Sequence, residues 1–267
     1  MTTRDTSWPE GTPAWADVMV PDGEASRQFY TSLFGWDFQI GGEESGFYSQ
    51  AMHGGRTVAG LGQSMPGQEG PPPAWTTYLA VEDVGLVAER ITGAGGSLMM
   101  APMEVGEFGS MAVAVDPTGA VFGLWESGTH TGAQIVNEPG AMVWNETLSH
   151  DFETAKAFYG DVFGYGFMDL GGDGFTYAGI EVDGSVVGGL GQLPDGTPAS
   201  MPSVWMTYFQ VEDTDAVVAQ AQELGGTVRQ EPRDSPYGRT AVLAGPAGEV
   251  FAVITPADPT AAAPDAS

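Results

Sequence analysis

An internal repeat constrains this chain more than any other feature of its sequence. Segments of the first half recur in the second half at the nearly fixed offset that separates Phe29-Tyr30 from Phe158-Tyr159. The matching pairs are 22–36 with 151–165, 58–63 with 187–192, 75–83 with 205–213, and 117–122 with 246–251. Chance does not align so many glycine and aromatic positions. The 267 residues therefore predict two copies of one module, each of about 130 residues.

Each copy has the same predicted order of strands and helices. A strand opens the copy, at 14–20 or 141–149, and an Asp able to cap a helix follows it. Aromatic and aliphatic residues then recur on one helical face. More strands and a second capped helix follow, which gives two βαβββ-like halves in each copy and an α+β fold. We expect strands at 46–53, 57–63, 75–81 and 205–211, loops at 65–73 and 193–202, and helices starting at Asp22, Asp83, Asp151 and Asp213.

The domain boundaries follow from the repeat. We expect an N-terminal module at 1–130, a C-terminal module at 131–256 and a disordered tail at 257–267, which is rich in Ala and Pro. The glycines of Gly60-x-Gly62 and Gly189-x-Gly191 are interpreted as strand-end glycines. No Lys-Ser/Thr and no helix follows them, so they do not predict a phosphate-binding loop.

Composition excludes several classes of function. The chain has no cysteine, which rules out disulfides, zinc–thiolate sites and thiol nucleophiles. Its 35 acidic and 8 basic residues give a net charge of −27, which opposes binding to nucleic acid or to an anionic membrane. A negative field can attract a cationic small molecule. Since no long apolar run or signal-peptide core is present, we expect a cytoplasmic protein with no nucleic-acid or membrane partner.

A repeated signature resembles that of the glyoxalase/bleomycin-resistance/extradiol-dioxygenase (vicinal oxygen chelate) superfamily. It consists of Asp22, Phe29-Tyr30, Phe34-Gly35-Trp36 and the later Asp-Pro-x-Gly at 116–119. The resemblance implies two tandem vicinal-oxygen-chelate modules built from βαβββ repeats, with mixed sheets curled into a ligand cup. Within that superfamily the chain resembles two-module actinobacterial proteins, often labelled hydroxylase or glyoxalase-like, that occur in aromatic polyketide pathways.

The resemblance also implies three positions for divalent-metal ligands in each copy. In this sequence they hold Trp15, Thr77 and Gly123 in the first copy and Trp144, Thr207 and Ala252 in the second. None offers the carboxylate or imidazole that divalent metals favour in proteins. The histidines His53, His130 and His150 do not recur between copies and are interpreted as incidental. We therefore expect no metal and no other cofactor.

Strand alternation predicts what lines the cups instead. If the family's ligand position faces the cup, then so do Trp15, Asp17 and Met19, and their counterparts Trp144, Glu146 and Leu148. The same reasoning places in the cups Trp75, Thr77, Leu79, Gly123, Trp125, Trp205, Thr207, Phe209, Ala252 and Ile254. Tyr48 and Tyr177 recur between copies and can donate hydrogen bonds there. Tryptophan faces stack on planar rings and attract cations, which favours a flat ligand that can be cationic.

Three functions remain open. The first is a binding protein for a planar aromatic, polyketide-type natural product, which it sequesters for self-resistance or presents to a biosynthetic oxygenase. The ligand-binding candidates are Trp15, Met19, Tyr48, Trp75, Thr77, Trp125, Trp144, Tyr177, Trp205 and Thr207. The second is a metal-independent enzyme of polyketide tailoring (cyclisation, epoxide opening, isomerisation or hydroxylation). In it Asp17 or Glu146, desolvated among tryptophans, acts as the catalytic acid or base. The third is a generic detoxification protein without a dedicated ligand.

Overall fold

Strands dominate the chain and form two open sheets, one from each copy of the repeat. The structure, a computed structural model, describes residues 2–64, 72–172 and 174–257. After the short β1 (Thr2–Thr3), the first sheet contains β2 (Pro13–Val20), β3 (Asp37–Ile40), β4 (Ser49–His53), β5 (Arg56–Gln63), β6 (Trp75–Val81), β7 (Ser97–Glu104), β8 (Gly109–Val115) and β9 (Val121–Ser127). The second sheet contains β10 (Ile135–Val136), β11 (Met142–Ser149), β12 (Gly166–Asp169), β13 (Tyr177–Val182), β14 (Ser185–Gln192), β15 (Val204–Gln210), β16 (Thr227–Ser235), β17 (Gly238–Ala244) and β18 (Val250–Pro256).

The two sheets share one topology. The strand order is β3-β4-β5-β2-β6-β9-β8-β7 in the first and β12-β13-β14-β11-β15-β18-β17-β16 in the second. In each, an antiparallel central pair (β2 with β6, β11 with β15) joins two βαβββ halves, while β10 and β1 extend the second sheet beside β11. The α+β fold with two tandem modules of βαβββ repeats is confirmed.

Four helices, α1 (Gly23–Phe34), α2 (Val84–Gly93), α3 (Phe152–Phe163) and α4 (Thr214–Glu223), lie in the described part of the chain. All four predicted Asp caps are confirmed, since each carboxylate accepts a backbone N–H three residues later, at 2.9–3.0 Å. Gly35 and Gly164 end α1 and α3 with φ of 70° and 69°. This left-handed conformation favours glycine at the end of a helix.

The helices lie between the sheets and pack crosswise. One apolar core joins α1 and the strand pair β2–β5 to α4 and the last strands of the other copy. The second core joins α3 and the strands β13 and β14 of the second copy to α2 and the last strands of the first copy, with α3 packed on β9. Representative contacts are the rings of Phe34 and Phe209, with centroids 5.1 Å apart, and those of Phe122 and Tyr159, 5.7 Å apart. The two copies therefore share their hydrophobic interior.

Buried hydrogen bonds across this interface follow the same twofold pattern. Tyr30 donates to the Glu249 carboxylate at 2.8 Å, and its counterpart Tyr159 donates to Asp116 at 3.0 Å. Both carboxylates are buried. The hydroxyls of Thr77 and Thr207, equivalent residues of the two copies, meet at 3.1 Å. The pseudo-twofold axis passes between these two threonines.

Some expected segments lie partly outside the described residues. These are the predicted loop at 65–73, of which the structure describes residues 72 and 73, and the predicted tail at 257–267, of which it describes residue 257. Residues 193–202 form the expected connection between β14 and β15. Within the described ranges, no helix is both long and apolar enough to span a membrane.

The shared interior predicts that Tyr30→Phe destabilises the whole chain. The change leaves the Trp75 Nε1–H without its acceptor and removes one donor from the buried Glu249. We expect a loss of about 1–3 kcal/mol in unfolding free energy, the usual cost of orphaned buried polar groups. Urea denaturation measures it.

Tyr237→Phe is the matched control, because its side chain is 60% exposed and its removal should cost less than about 0.5 kcal/mol. Equal stability of Tyr30→Phe and the control would contradict a structural role for the interface hydrogen bonds.

Candidate functional site

The face of each sheet that turns away from the helices carries the candidate site. We call this face of the first sheet the first cup, marked by Trp15, Asp17, Tyr48, Tyr78 and Trp125. The corresponding face of the second sheet is the second cup, marked by Trp144, Glu146, Tyr177, Tyr208 and Ile254. Strand pairing places each set together, because residues directly opposite each other on paired strands share a face.

A hydrogen-bonded cluster forms the floor of the first cup. Tyr48 and Tyr78 both donate to Asp17 Oδ2, at 3.0 and 3.4 Å. Trp15 Nε1–H donates to the Tyr48 hydroxyl at 3.1 Å. Asp17 is 9% exposed, so the carboxylate is almost removed from solvent and is satisfied chiefly by phenols.

The second cup repeats this cluster with a longer acid. Tyr177 donates to Glu146 Oε2 at 2.5 Å and Tyr208 donates to Oε1 at 2.6 Å. Trp144 Nε1–H donates to the Tyr177 hydroxyl at 2.9 Å. Each oxygen of Glu146 therefore has its own phenol donor. Recurrence in both copies shows that the carboxylate, the two tyrosines and the tryptophan form one unit.

Glycines on the neighbouring strands make room for the tyrosine rings. A Cβ on Gly60 would lie 1.8 Å from the Tyr48 hydroxyl oxygen, and one on Gly123 would lie 2.1 Å from Tyr78 Cδ1. In the second cup a Cβ on Gly189 would lie 1.9 Å from the Tyr177 hydroxyl oxygen. The repeated Gly-x-Gly segments thus lie within strands and act as a floor for the rings, a close approach that only glycine allows.

Burial controls the protonation of these groups. It raises the pKa of Asp17 to about 7, although the hydrogen bonds from Tyr48 and Tyr78 oppose the shift. Burial, together with the nearby carboxylates, raises the pKa values of all four cluster tyrosines above their usual value. The phenols therefore stay protonated as donors, while Asp17 can gain or lose a proton near neutral pH.

Apolar side chains line the side of the first cup that β7, β8 and β9 form. Along β7, β8 and β9 the pairing places Met103 opposite Met111, and Met111 opposite Trp125. Met100 lies one step further along, opposite Val113. Met19, Met100 and Met103 are 49%, 42% and 48% exposed. A strongly acidic chain thus presents a run of flexible, polarisable methionines beside aromatic rings.

The linker between the copies crosses one end of the first cup. Its His130 ring packs edge-on against Trp15, with centroids 4.4 Å apart, and lies 5.3 Å from the ring of Trp125. Trp125 Nε1–H donates to the His130 carbonyl at 2.9 Å. Burial lowers the pKa of His130 to about 4, so the ring is neutral at physiological pH. The interpretation of His130 as incidental is wrong: the residue does not recur between the copies, but the path of the linker brings its ring to the cup.

The structure corrects the predicted face of the middle strands. Trp15 lies opposite Tyr78 in the β2–β6 pair, so Tyr78 faces the first cup and its neighbour Thr77 does not. A one-residue change of register moves a whole strand's side chains to the other face. The face predicted for Trp75, Thr77, Leu79, Trp205, Thr207 and Phe209 is therefore wrong, since these residues lie buried between the sheets. Trp75 and Trp205 instead donate to Tyr30 and Tyr159 on the helices, at 3.1 and 2.7 Å.

The other predicted residues lie on the expected face. These are Trp15, Asp17, Met19, Tyr48, Gly123 and Trp125 in the first cup, and Trp144, Glu146, Leu148, Tyr177, Ala252 and Ile254 in the second. Tyr78 and Tyr208 are the members that sequence reasoning missed. Their recurrence within the Trp-x-Thr-Tyr segments was the available signal.

The donor set of the cups does not fit a divalent metal. At the family's ligand positions Trp15 offers only an N–H donor, and the space beside Gly123 is filled by the Tyr78 ring. Thr77 faces away from the cup. Among the residues that the structure describes, no three His, Cys, Asp or Glu side chains gather into a metal-binding group. Absence of a metal cofactor remains a prediction.

Two clefts lie between the copies, away from the clusters described above. One is lined by residues that include His53, Arg56, Glu138 and Glu212, and the other by residues that include Glu10, Glu82, Glu181 and Asp183. The first cleft has a mixed lining that also includes Ile135 and Pro139, and the second is lined chiefly by polar groups. We favour the cups over these clefts because the cups hold the repeated buried cluster of acid, phenols and indole.

Comparisons with known proteins agree with this architecture. The sequence model of the Glyoxalase/Bleomycin resistance protein/Dioxygenase superfamily matches residues 12–124 and 147–253. The manganese-bound glyoxalase from Novosphingobium aromaticivorans shares the fold, with a TM-score of 0.63 at 17% identity, over 92% of this chain and 82% of that one.

Two curated relatives match almost their whole length. CFP32, a glyoxylase candidate of Mycobacterium tuberculosis (strain CDC 1551 / Oshkosh), is 41% identical over 256 residues, which cover 93% of this chain and 96% of that protein. The anthracycline biosynthesis protein DauV of Streptomyces sp. (strain C5) is 37% identical over 262 residues, covering 93% and 94%. Homology to biosynthesis proteins of this kind fits a polyketide-related role.

The buried acid predicts a specific pH dependence of stability. Because the pKa of Asp17 is about 7 in the folded chain against an ordinary 3.8, the folded state holds a proton that the unfolded state releases. Stability from this group is therefore present at low pH and is lost as pH rises from about 4 to about 7. Relative to Asp17→Asn, the wild type should lose on the order of 1 kcal/mol per pH unit. Urea titrations of both proteins across that range measure it; a constant difference would contradict the assignment.

The glycine floor predicts that Gly60→Ala displaces the Tyr48 ring and loosens the cluster. Overpacking of this kind costs about 1–3 kcal/mol, which thermal and urea unfolding can measure. Gly93→Ala is the control, because no atom lies within 4 Å of its added Cβ. A Gly60→Ala variant as stable as the control would show that the ring does not depend on the floor.

Proposed function

The chain belongs to the glyoxalase/bleomycin resistance protein/dioxygenase superfamily, and we propose that it binds a planar aromatic, polyketide-type natural product in its first cup. The observation that carries this proposal is the row of Met100, Met103, Met111 and Trp125 along the apolar side of the cup. Exposed methionines are costly on a monomer's surface and are typical of adaptable ligand-binding walls.

The floor of the cup suits the polar edge of such a ligand. Phenol and quinone oxygens of an aromatic polyketide can exchange hydrogen bonds with Tyr48, Tyr78 and Asp17, since all three groups already meet there. Near its pKa of about 7, Asp17 can accept a bond from a phenol or donate one to a quinone oxygen. An amino group would favour the ionised form of Asp17.

The biological role that we propose is accessory. The protein would hold the natural product for self-resistance or present it to a biosynthetic oxygenase. Two relatives support the pathway assignment by their names, the anthracycline biosynthesis proteins DauV and DnrV of two Streptomyces strains. Among the described residues, no three side chains that could ligate a metal gather in the cups, which supports binding without a metal.

A titration of intrinsic fluorescence tests the binding proposal. Trp15 and Trp125 lie in the first cup, so 1,8-dihydroxyanthraquinone, a flat and uncharged probe, should quench the emission saturably at about one equivalent. Met103→Gln should weaken binding about tenfold, because burying a methionine contributes roughly 1.5–3 kcal/mol.

Met168→Gln is the matched control. Met168 is 43% exposed but lies on β12 of the other sheet, and its replacement should leave the dissociation constant within about threefold. Quenching that is absent, or equally weakened by both substitutions, would overturn the proposal.

A second candidate function is metal-independent acid–base catalysis on the same ligand. A carboxyl group with a pKa of about 7, placed between two phenols, has the properties of a catalytic acid or base. Asp17 would then transfer a proton during cyclisation, epoxide opening, isomerisation or hydroxylation, and Glu146 would do so in the second cup.

Substitution separates catalysis from binding. If Asp17 acts as the catalytic group, Asp17→Asn lowers turnover by at least about a hundredfold, a loss much larger than the weakening of binding that the changed hydrogen bond causes. Single-turnover assays with an anthracycline-type polyketide as substrate, followed by mass spectrometry, provide the readout. Recovery of unchanged ligand from the wild type would leave binding as the function.

A further inference from the structure

One wall of the cups differs at four equivalent positions. In the first sheet, strand pairing places Met100 opposite Val113, and Met103 opposite Met111, which lies opposite Trp125. In the second sheet the same pairing places Gln230 opposite Val242, and Arg233 opposite Thr240, which lies opposite Ile254. The substitutions between the cups are Met100 to Gln230, Met103 to Arg233, Met111 to Thr240 and Trp125 to Ile254. Both floors keep an acid, two tyrosines and a tryptophan, whereas this wall changes from apolar to polar side chains.

The wall of the second cup is a hydrogen-bonding surface with a positive charge. With the Gln230 amide oriented to satisfy both groups, its oxygen accepts from Arg233 Nε at 2.5 Å, which anchors the guanidinium. Thr240 pairs with Arg233 across the two strands and adds a hydroxyl-bearing residue to the same face. Burial and the Glu146 carboxylate raise the pKa of Tyr208, and the positive charge of Arg233 opposes that shift.

Arg4, Lys156, Arg229 and Arg233 are the basic side chains that form no ion pair between described residues, and of these we consider Arg233 because it lies on the wall of the second cup. The ion pairs between described residues involve Arg27, Arg56, Arg90 and Arg239. Within the same described ranges, Arg233 has no carboxylate partner. In a chain with 35 acidic residues and 8 basic ones, a guanidinium without an acidic partner on a cup wall is available to an anionic ligand.

The acid on the floor does not occupy this guanidinium. Both oxygens of Glu146 accept short hydrogen bonds from Tyr177 and Tyr208, so its charge is already stabilised. A ligand that lies across the second cup would meet Trp144 and the tyrosines at one end and Arg233 with Gln230 at the other. An anionic group fits the second end, since planar guanidinium groups bind carboxylate and phosphate oxygens in pairs.

We infer that the second cup binds an aromatic anion, with the ring beside Trp144 and Tyr177 and the anionic group on Arg233 and Gln230. The inference deepens the proposed function and rests on it in one respect, the placing of an aromatic ring in a cup. The first cup selects an uncharged apolar ring system and the second selects its acidic counterpart. One chain would therefore hold two chemically distinct aromatic ligands.

Equilibrium dialysis with two matched probes tests this inference. 9-Anthracenecarboxylate carries the anion, and 9-anthracenemethanol is an uncharged analogue of similar shape. Arg233→Met restores the residue type of the first cup and should weaken binding of the carboxylate about tenfold, the effect of losing one partly exposed charge-assisted pair. Binding of the alcohol should change less than about threefold. Raising the salt concentration should weaken binding of the carboxylate in the wild type only.

A reciprocal variant and a charge control complete the design. Met103→Arg should let the first cup bind the carboxylate more tightly. Arg56→Met removes one positive charge from the ion pair with Asp5 and should leave both probes unaffected. If Arg233→Met weakens both probes equally, or neither, the inference is overturned.

The probes separate this inference from the proposed function. Binding of the alcohol that is lost in Met103→Gln and kept in Arg233→Met supports the first cup as a site for an uncharged ring, whatever the carboxylate does. Binding of the carboxylate alone, with loss in Arg233→Met, supports the second cup and contradicts the proposal for the first.

Discussion

Neither sheet can bury its helix-facing side alone, because the helices that cover it come from both copies. The Tyr30 hydroxyl of the first copy satisfies the buried Glu249 of the second, and Tyr159 satisfies Asp116 in return. Buried carboxylates without such donors would be costly. The duplication is thus a structural requirement of this interior as well as a feature of the sequence. The hydroxyls of Thr77 and Thr207 meet at the pseudo-twofold axis that relates the two copies.

The crosswise interior leaves the opposite face of each sheet free for chemistry. Both faces keep the same unit, an acid held by two phenols with a tryptophan donating to one of them. Glycines in the adjoining strands fix that unit by allowing the rings to lie flat. Under the proposed function, selection between ligands falls to the neighbouring wall, which is methionine-rich in one sheet and polar in the other.

Much of this arrangement could be predicted from sequence, because repeated patterns report local physics. The Asp caps, the helix-ending glycines and the βαβββ order follow from hydrogen bonding and backbone conformation within short segments. The faces of β6 and β15 could not be predicted this way. They depend on how each strand pairs with its neighbour, and a shift between Pro13 and Trp15 sets that register. Tyr78 was missed for this reason, and His130 because no local pattern predicts where a linker crosses a sheet.

The first cup is the proposed site for a planar aromatic ligand. Methionine methyl groups report on it directly, because Met19, Met100, Met103 and Met111 line that cup while Met142 is buried in the shared interior and Met168 lies on the other sheet. In a spectrum of protein labelled with carbon-13 at the methionine methyls, titration with 1,8-dihydroxyanthraquinone should shift the first four signals and give ligand contacts to them. The signals of Met142 and Met168 should stay in place. Shifts centred on Met168, or spread evenly over all methionines, would contradict the account.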